Sequence, residues 1–72
     1  MKQINFMIPQ DITEMFTICN SNNIECLADT ASISIKPEDL LKVYVLIMKS
    51  SYRYAECLLK KIEIAIIEEI RK

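Results

Sequence analysis

Leu41, Val45, Met48, Tyr52, Ala55, Leu59, Ile62 and Ile66 recur at alternating spacings of four and three, and Ile70 follows four further on. That spacing is the repeat of a helix seam that packs on another helix. Pro37 marks the start, and Glu38 and Asp39 suit the positive end of a helix dipole. Neither Pro nor Gly interrupts the chain from there on. The soft point is Lys49-Ser50-Ser51, where Ser is able to cap a second helix beginning near Tyr52. The stripe keeps its phase across this point, so the pattern predicts one continuous helix. About 34 helical residues would span roughly 50 Å. The 36 residues before them are too few to cover that length.

The front half reads as shorter elements. Ile4, Phe6 and Ile8 alternate with Asn5 and Met7, which predicts a strand ended by Pro9. Asp11 and Glu14 have capping-box spacing. Ile12, Met15, Phe16 and Cys19 then give one face of a short amphipathic helix, stopped at Asn20-Ser21-Asn22-Asn23. Ile24, Cys26 and Ala28, then Ala31, Ile33 and Ile35, alternate as two further strands. Asp29-Thr30 lacks the Gly that a type I′ hairpin turn favours. The expected fold is therefore a small α+β unit of β-α-β-β-α order. It forms a single domain over 1–72, with a β-α-β-β front (1–36) and a long amphipathic helix (37–72). The alternative is a ferredoxin-like β-α-β-β-α-β fold. Val43 to Met48 is rich in β-branched residues, and Ile62-Glu63-Ile64-Ala65-Ile66 alternates like a last strand.

Composition turns the stripe into an interaction surface. Half of the 72 residues are apolar, including thirteen Ile, more than a lone small domain hides easily. Ile64 and Ile67 fall roughly opposite the seam and suggest a second contact face. The expected interface for a dimer, higher oligomer or unidentified partner protein comprises Met48, Tyr52, Ala55, Leu59, Ile62, Ile66 and Ile70. Leu58, Ile62 and Ile66 are expected near its centre. A second cluster, Lys49, Arg53, Tyr54, Lys60 and Lys61 beside Tyr52, combines basic and aromatic groups able to touch a polyanion or a partner. Net charge is −1, divided as −3 over residues 1–35 and +2 over 36–72, which is weak support for nucleic-acid binding.

Inventory argues against chemistry. The chain has no His, Gly or Trp. A histidine base, a Cys₂His₂ zinc site, a Walker loop and a dinucleotide fingerprint are excluded. Cys19, Cys26 and Cys57 match no metal-ligand spacing and read as apolar packing residues. Glu56 and Glu63 share a helix face without the His that a di-metal bundle needs. No enzyme activity, cofactor or metal is expected. Neither a signal peptide nor a membrane span is legible, and the odd cysteine number suits a reducing, cytoplasmic setting.

Thr30-Ala31-Ser32-Ile33-Ser34-Ile35-Lys36 followed by two helical stretches, Pro37–Met48 and Tyr52–Ile70, resembles the ribbon-helix-helix repressors in pattern. That resemblance implies a dimeric DNA-binding repressor whose Thr30, Ser32, Ser34 and Lys36 face bases. The inter-helix turn lacks the family's Gly, the strand carries one basic residue, and the chain is acidic. The reading preferred on the residues is a small cytosolic interaction module, a regulator or inhibitor acting as a homo-oligomer. The bias toward Ile, Lys and Asn fits an AT-rich bacterial or phage genome.

Overall fold

Alternating apolar residues build three short strands around one central pair of isoleucines. The computed structural model describes residues 1–72 and contains β1 (Lys2–Asn5), α1 (Pro9–Ser21), β2 (Cys26–Ala28), β3 (Ser32–Ile35), α2 (Leu40–Met48) and α3 (Ala55–Ile70). A 3₁₀ turn, Pro37–Asp39, leads into α2. β3 lies between β1 and β2 and is antiparallel to both. Ile4 pairs with Ile33, and Ile33 with Ala28, so one sheet face carries the apolar row. Ile33 and Ile35 on that face are fully buried. The other face carries Gln3, Asn5, Ser32, Ser34 and Leu27, and Gln3 Nε2 donates to Ser32 Oγ at 3.0 Å.

The β2–β3 connection is tight despite its composition. Asp29 N–H donates to the Ser32 carbonyl at 2.8 Å, and Asp29 Oδ1 accepts from Thr30 N–H at 2.7 Å. Asn23 is the one non-glycine residue with positive φ, at 56°. The turn therefore needs none of the positive φ angles that a type I′ hairpin would impose. Pro9 opens α1, where its missing N–H costs nothing. Asp11 does not cap this helix: the N-cap position is Ile8, without a side-chain cap.

The α+β class and the β-α-β-β order stand, but the single long helix does not. α2 ends at Met48, and α3 begins at Ala55 and packs back against α2. Ser50 N–H turns to the Ile47 carbonyl at 3.0 Å, and Ser50 Oγ accepts from Tyr52 N–H at 3.0 Å. A side chain that offers the backbone a local partner competes with helix continuation. The reason that the phase survives the break is arithmetic. Ile47 and Leu58 are the inward residues nearest the break on either side, and they lie eleven positions apart. Eleven residues make close to three helical turns, so a linker of this length leaves no mark on the period. The ferredoxin-like alternative also fails, because residues 61–68 are helical within α3.

Fourteen apolar side chains form the core, drawn from both halves of the chain. α2 contributes Leu40, Val43 and Ile47, and α3 contributes Leu58, Ile62 and Ala65. Leu58 and Ile62, expected at the centre of an intermolecular contact, are enclosed by their own chain at 0% exposure. The partition into a front and a 37–72 helix is corrected in the same way, since the helical hairpin closes over the sheet.

Candidate interaction surface

α2 has two apolar faces and one cover. Its sequence, Leu40 to Met48, contains Lys42 as its single charge. Leu40, Val43 and Ile47 point inward, while Leu41, Val45 and Met48, spaced i, i+4, i+7, form a second row on the outside. Leu41 is 64% exposed and Met48 56%. A helix apolar on all sides is ordinarily buried on all sides. Beside Leu41, a shallow cleft of about 180 Å³ between α2 and α3 is lined by Pro37, Leu40, Leu41, Ile66, Glu69 and Ile70. Ile70, 76% exposed, extends the apolar patch onto α3. The charged groups beside the row are Glu38, Lys42 and Lys49, with Glu69 across the cleft beside Leu41 and paired to Lys72.

The residues expected at the interface are thus divided. Met48 and Ile70 are exposed. Tyr52, Ala55, Leu59 and Ile66 are half-buried against the core. Ile62 has no surface left to offer a partner. Leu41 and Val45 opened the seam in the sequence and belong to the exposed row. Ile64 and Ile67 are exposed on α3. Ile64 lies toward β1, in a hollow lined by Gln3, Ile4, Ala65 and Glu68 among others.

The basic and aromatic cluster is dispersed. Lys61 Nζ donates to the Asn5 carbonyl at 2.9 Å and lies 5.4 Å from the centre of the Phe6 ring. It blocks part of the outer edge of β1, a common device against strand addition. Arg53 sits over the Tyr54 ring at 5.8 Å, and the Tyr52 and Tyr54 rings meet edge-on at 5.8 Å. Lys49 is exposed just past the end of α2, and Lys60 on α3. Nor does β3 behave as a DNA-reading ribbon, because both its edges are occupied by strands of its own chain. Ser32, one of the residues the resemblance turns toward bases, is buried.

One hydrogen-bonded pair joins two parts of the chain that the local patterns do not connect. Asp11, in the first turn of α1, is buried, and its Oδ1 accepts from the Tyr52 hydroxyl at 2.7 Å. The bond ties the α2–α3 linker to α1 across forty-one residues of sequence. Desolvation, followed by the hydrogen bond and the negative charge of Asp11, pushes the Tyr52 phenol up to about 12. The signal was available: Asp11 precedes Ile12 on the same inner side of α1 as Met15, where a carboxylate needs a donor.

On the surface, Lys36 Nζ meets Glu25 Oε2 at 2.8 Å and Lys2 Nζ meets Glu68 Oε1 at 2.7 Å. Hydrogen bonding to Lys36 and to Lys2, with their charge, lowers the Glu25 and Glu68 carboxyls, and the Glu25 partner raises Lys36. The first joins the residue before β2 to the residue after β3 and the second joins β1 to α3, on the surface, where such pairs add little stability.

The three thiols occupy three environments. Cys19 is fully buried, Cys26 half-buried beside it, and Cys57 exposed on α3. Burial, then the adjoining Cys26, pushes the Cys19 thiol up to about 12. Alkylation of the folded protein with iodoacetamide, followed by peptide mass mapping, should therefore modify Cys57 first and Cys19 last. Early labelling of Cys19 would contradict the packing of α1 on the sheet.

No His, Cys, Asp and Glu side chains gather in threes able to hold a metal ion. No helix is long and apolar enough to cross a membrane. Compared with known proteins, the chain matches no family model, no curated protein and no solved structure. The functional reading therefore rests on the surface itself.

Proposed function

We propose that this protein is a small interaction module, a regulator or inhibitor that works by occupying a protein surface with the outer face of its α2–α3 hairpin. The observation that carries this reading is the doubly apolar α2, whose Leu41, Val45 and Met48 lie outside while Leu40, Val43 and Ile47 fill the core. A compact unit gains nothing in folding from a second apolar row held in water. Exposed contiguous apolar patches on small proteins mark contact sites more often than isolated exposed residues do. Aliphatic anchors on a helix face are also the usual currency of helix-mediated recognition.

The test compares what the tagged chain retains, its own untagged copy or another polypeptide, with what a Val45→Asp variant retains. The variant should keep the wild-type circular dichroism spectrum, since Val45 faces outward, and should lose the bound species. A Gln10→Ala control, on an exposed part of α1, should retain it. Equal retention by Val45→Asp and wild type overturns the assignment of the α2 face.

A further inference from the structure

We infer that the occupant of the α2 face is a second copy of this chain, bound antiparallel about a two-fold axis near the middle of α2. This rests on the reading of α2 as the contact face and names its partner. The argument is the order of charges beside the apolar row. Glu38 stands at the N-terminal end and Lys49 at the C-terminal end, with Leu41, Lys42, Val45 and Leu46 between them along the same hollow. None of Glu38, Lys42 and Lys49 belongs to any of the three ion pairs within the chain.

A two-fold contact brings the same patch of each subunit together, so a residue i that meets j is matched by j meeting i. Helices packed antiparallel about a point between Val43 and Tyr44 place Glu38 of each subunit against the partner's Lys49. Both ends of the contact then carry an opposite-charge pair. The same register sets Leu41 and Val45 close to one another across the axis, with Met48 flanking them. Opposed helix dipoles add to the same orientation. A parallel pairing would instead place Glu38 beside Glu38 of the partner subunit and Lys49 beside the partner's Lys49. Lys42 lies as near the axis as Val45, four residues from its own Glu38, and its stem is long enough to carry the ammonium out to water. Ile70 extends the patch next to Leu41.

The nine residues of α2 span about 14 Å, so the contact is a small one and the test covers a wide range of concentration. Sedimentation equilibrium on the full chain, from about 1 μM to about 1 mM, tests the proposal. The expected mass rises from that of one 8.4 kDa chain to twice it. Val45→Asp should remain at one chain throughout. Glu38→Lys and Lys49→Glu should each weaken the dimer about tenfold, and the double variant should recover wild-type affinity, because it restores both pairs with their signs exchanged. A single-chain mass at 1 mM overturns the self-association. Loss of retained polypeptide on Val45→Asp would still uphold the contact face in that case, so the two failures are distinguishable. A dimer indifferent to Val45→Asp overturns the face as well. A dimer weakened by both single reversals and not rescued by the double one overturns the antiparallel register.

Discussion

Ile62→Ala is expected to destabilise the protein by about 2–5 kcal/mol, whereas Leu41→Ala changes stability by no more than about 0.5 kcal/mol. Both residues stand on the same sequence stripe, so the contrast separates core from surface. Ile62 is fully enclosed on α3, which packs against α2 and β1, and truncation leaves a cavity in the core. Leu41 is mostly exposed, and its removal takes little apolar area out of the folded interior. A chain of this size is expected to have a total stability of about 4–11 kcal/mol, so Ile62→Ala can consume much of it. Urea unfolding followed by circular dichroism at a protein concentration below 1 μM reads the difference without interference from association. Equal costs for the two variants would contradict the assignment of inner and outer rows.

Tyr52→Phe is expected to cost about 1.5–3 kcal/mol, the range for a hydrogen bond to a charged group when one partner is left buried. The substitution keeps the ring and removes the donor to Asp11, so the loss measures the bond that holds the linker against α1. Asp11→Asn should cost less than Tyr52→Phe, because an amide oxygen still accepts the phenolic proton. The pair also has a signature in alkali. The folded phenol titrates near 12, against an ordinary value of 10. A raised value means that the folded state holds the proton more tightly. The stabilisation is therefore complete below pH 10 and is lost as pH rises toward 12. Denaturant midpoints of the wild type should fall over that window more steeply than those of Tyr52→Phe. A parallel fall in both proteins would show that the bond is absent in solution.

These contrasts also explain what was legible in the sequence. The strands and α1 were, because each alternates or repeats with one apolar face and one polar face: Ile33 and Ile35 against Ser32 and Ser34, and Ile12, Met15 and Cys19 on the inner side of α1. The inner side of α2 is not legible, for the opposite reason. With apolar residues on every side, its period does not say which row is inside, and the exposed Leu41, Val45 and Met48 fit a seam as well as the buried Leu40, Val43 and Ile47 do. The helix break was hidden by the near-integral three turns between Ile47 and Leu58. Of the Asp11–Tyr52 bond only the acceptor is legible, as a carboxylate on the inner side of α1; its donor arrives when the hairpin closes over α1, which no local pattern encodes. The apolar excess, by contrast, is legible from composition alone, and it appears in the fold as the outer row of α2, as Ile64, Ile67 and Ile70 on α3, and as Met7, Ile8, Phe16 and Leu27 in the front half.

The claim that most depends on solution behaviour is that contact is made by the outer row of α2. Amide chemical shifts recorded across a dilution series report that surface residue by residue. Movement confined to Glu38, Leu41, Lys42, Val45, Met48, Lys49 and Ile70, with the sheet and the Asp11–Tyr52 pair unchanged, is the result expected. Shifts that stay constant across the series, or that move along β1 and the open sheet face instead, would contradict it.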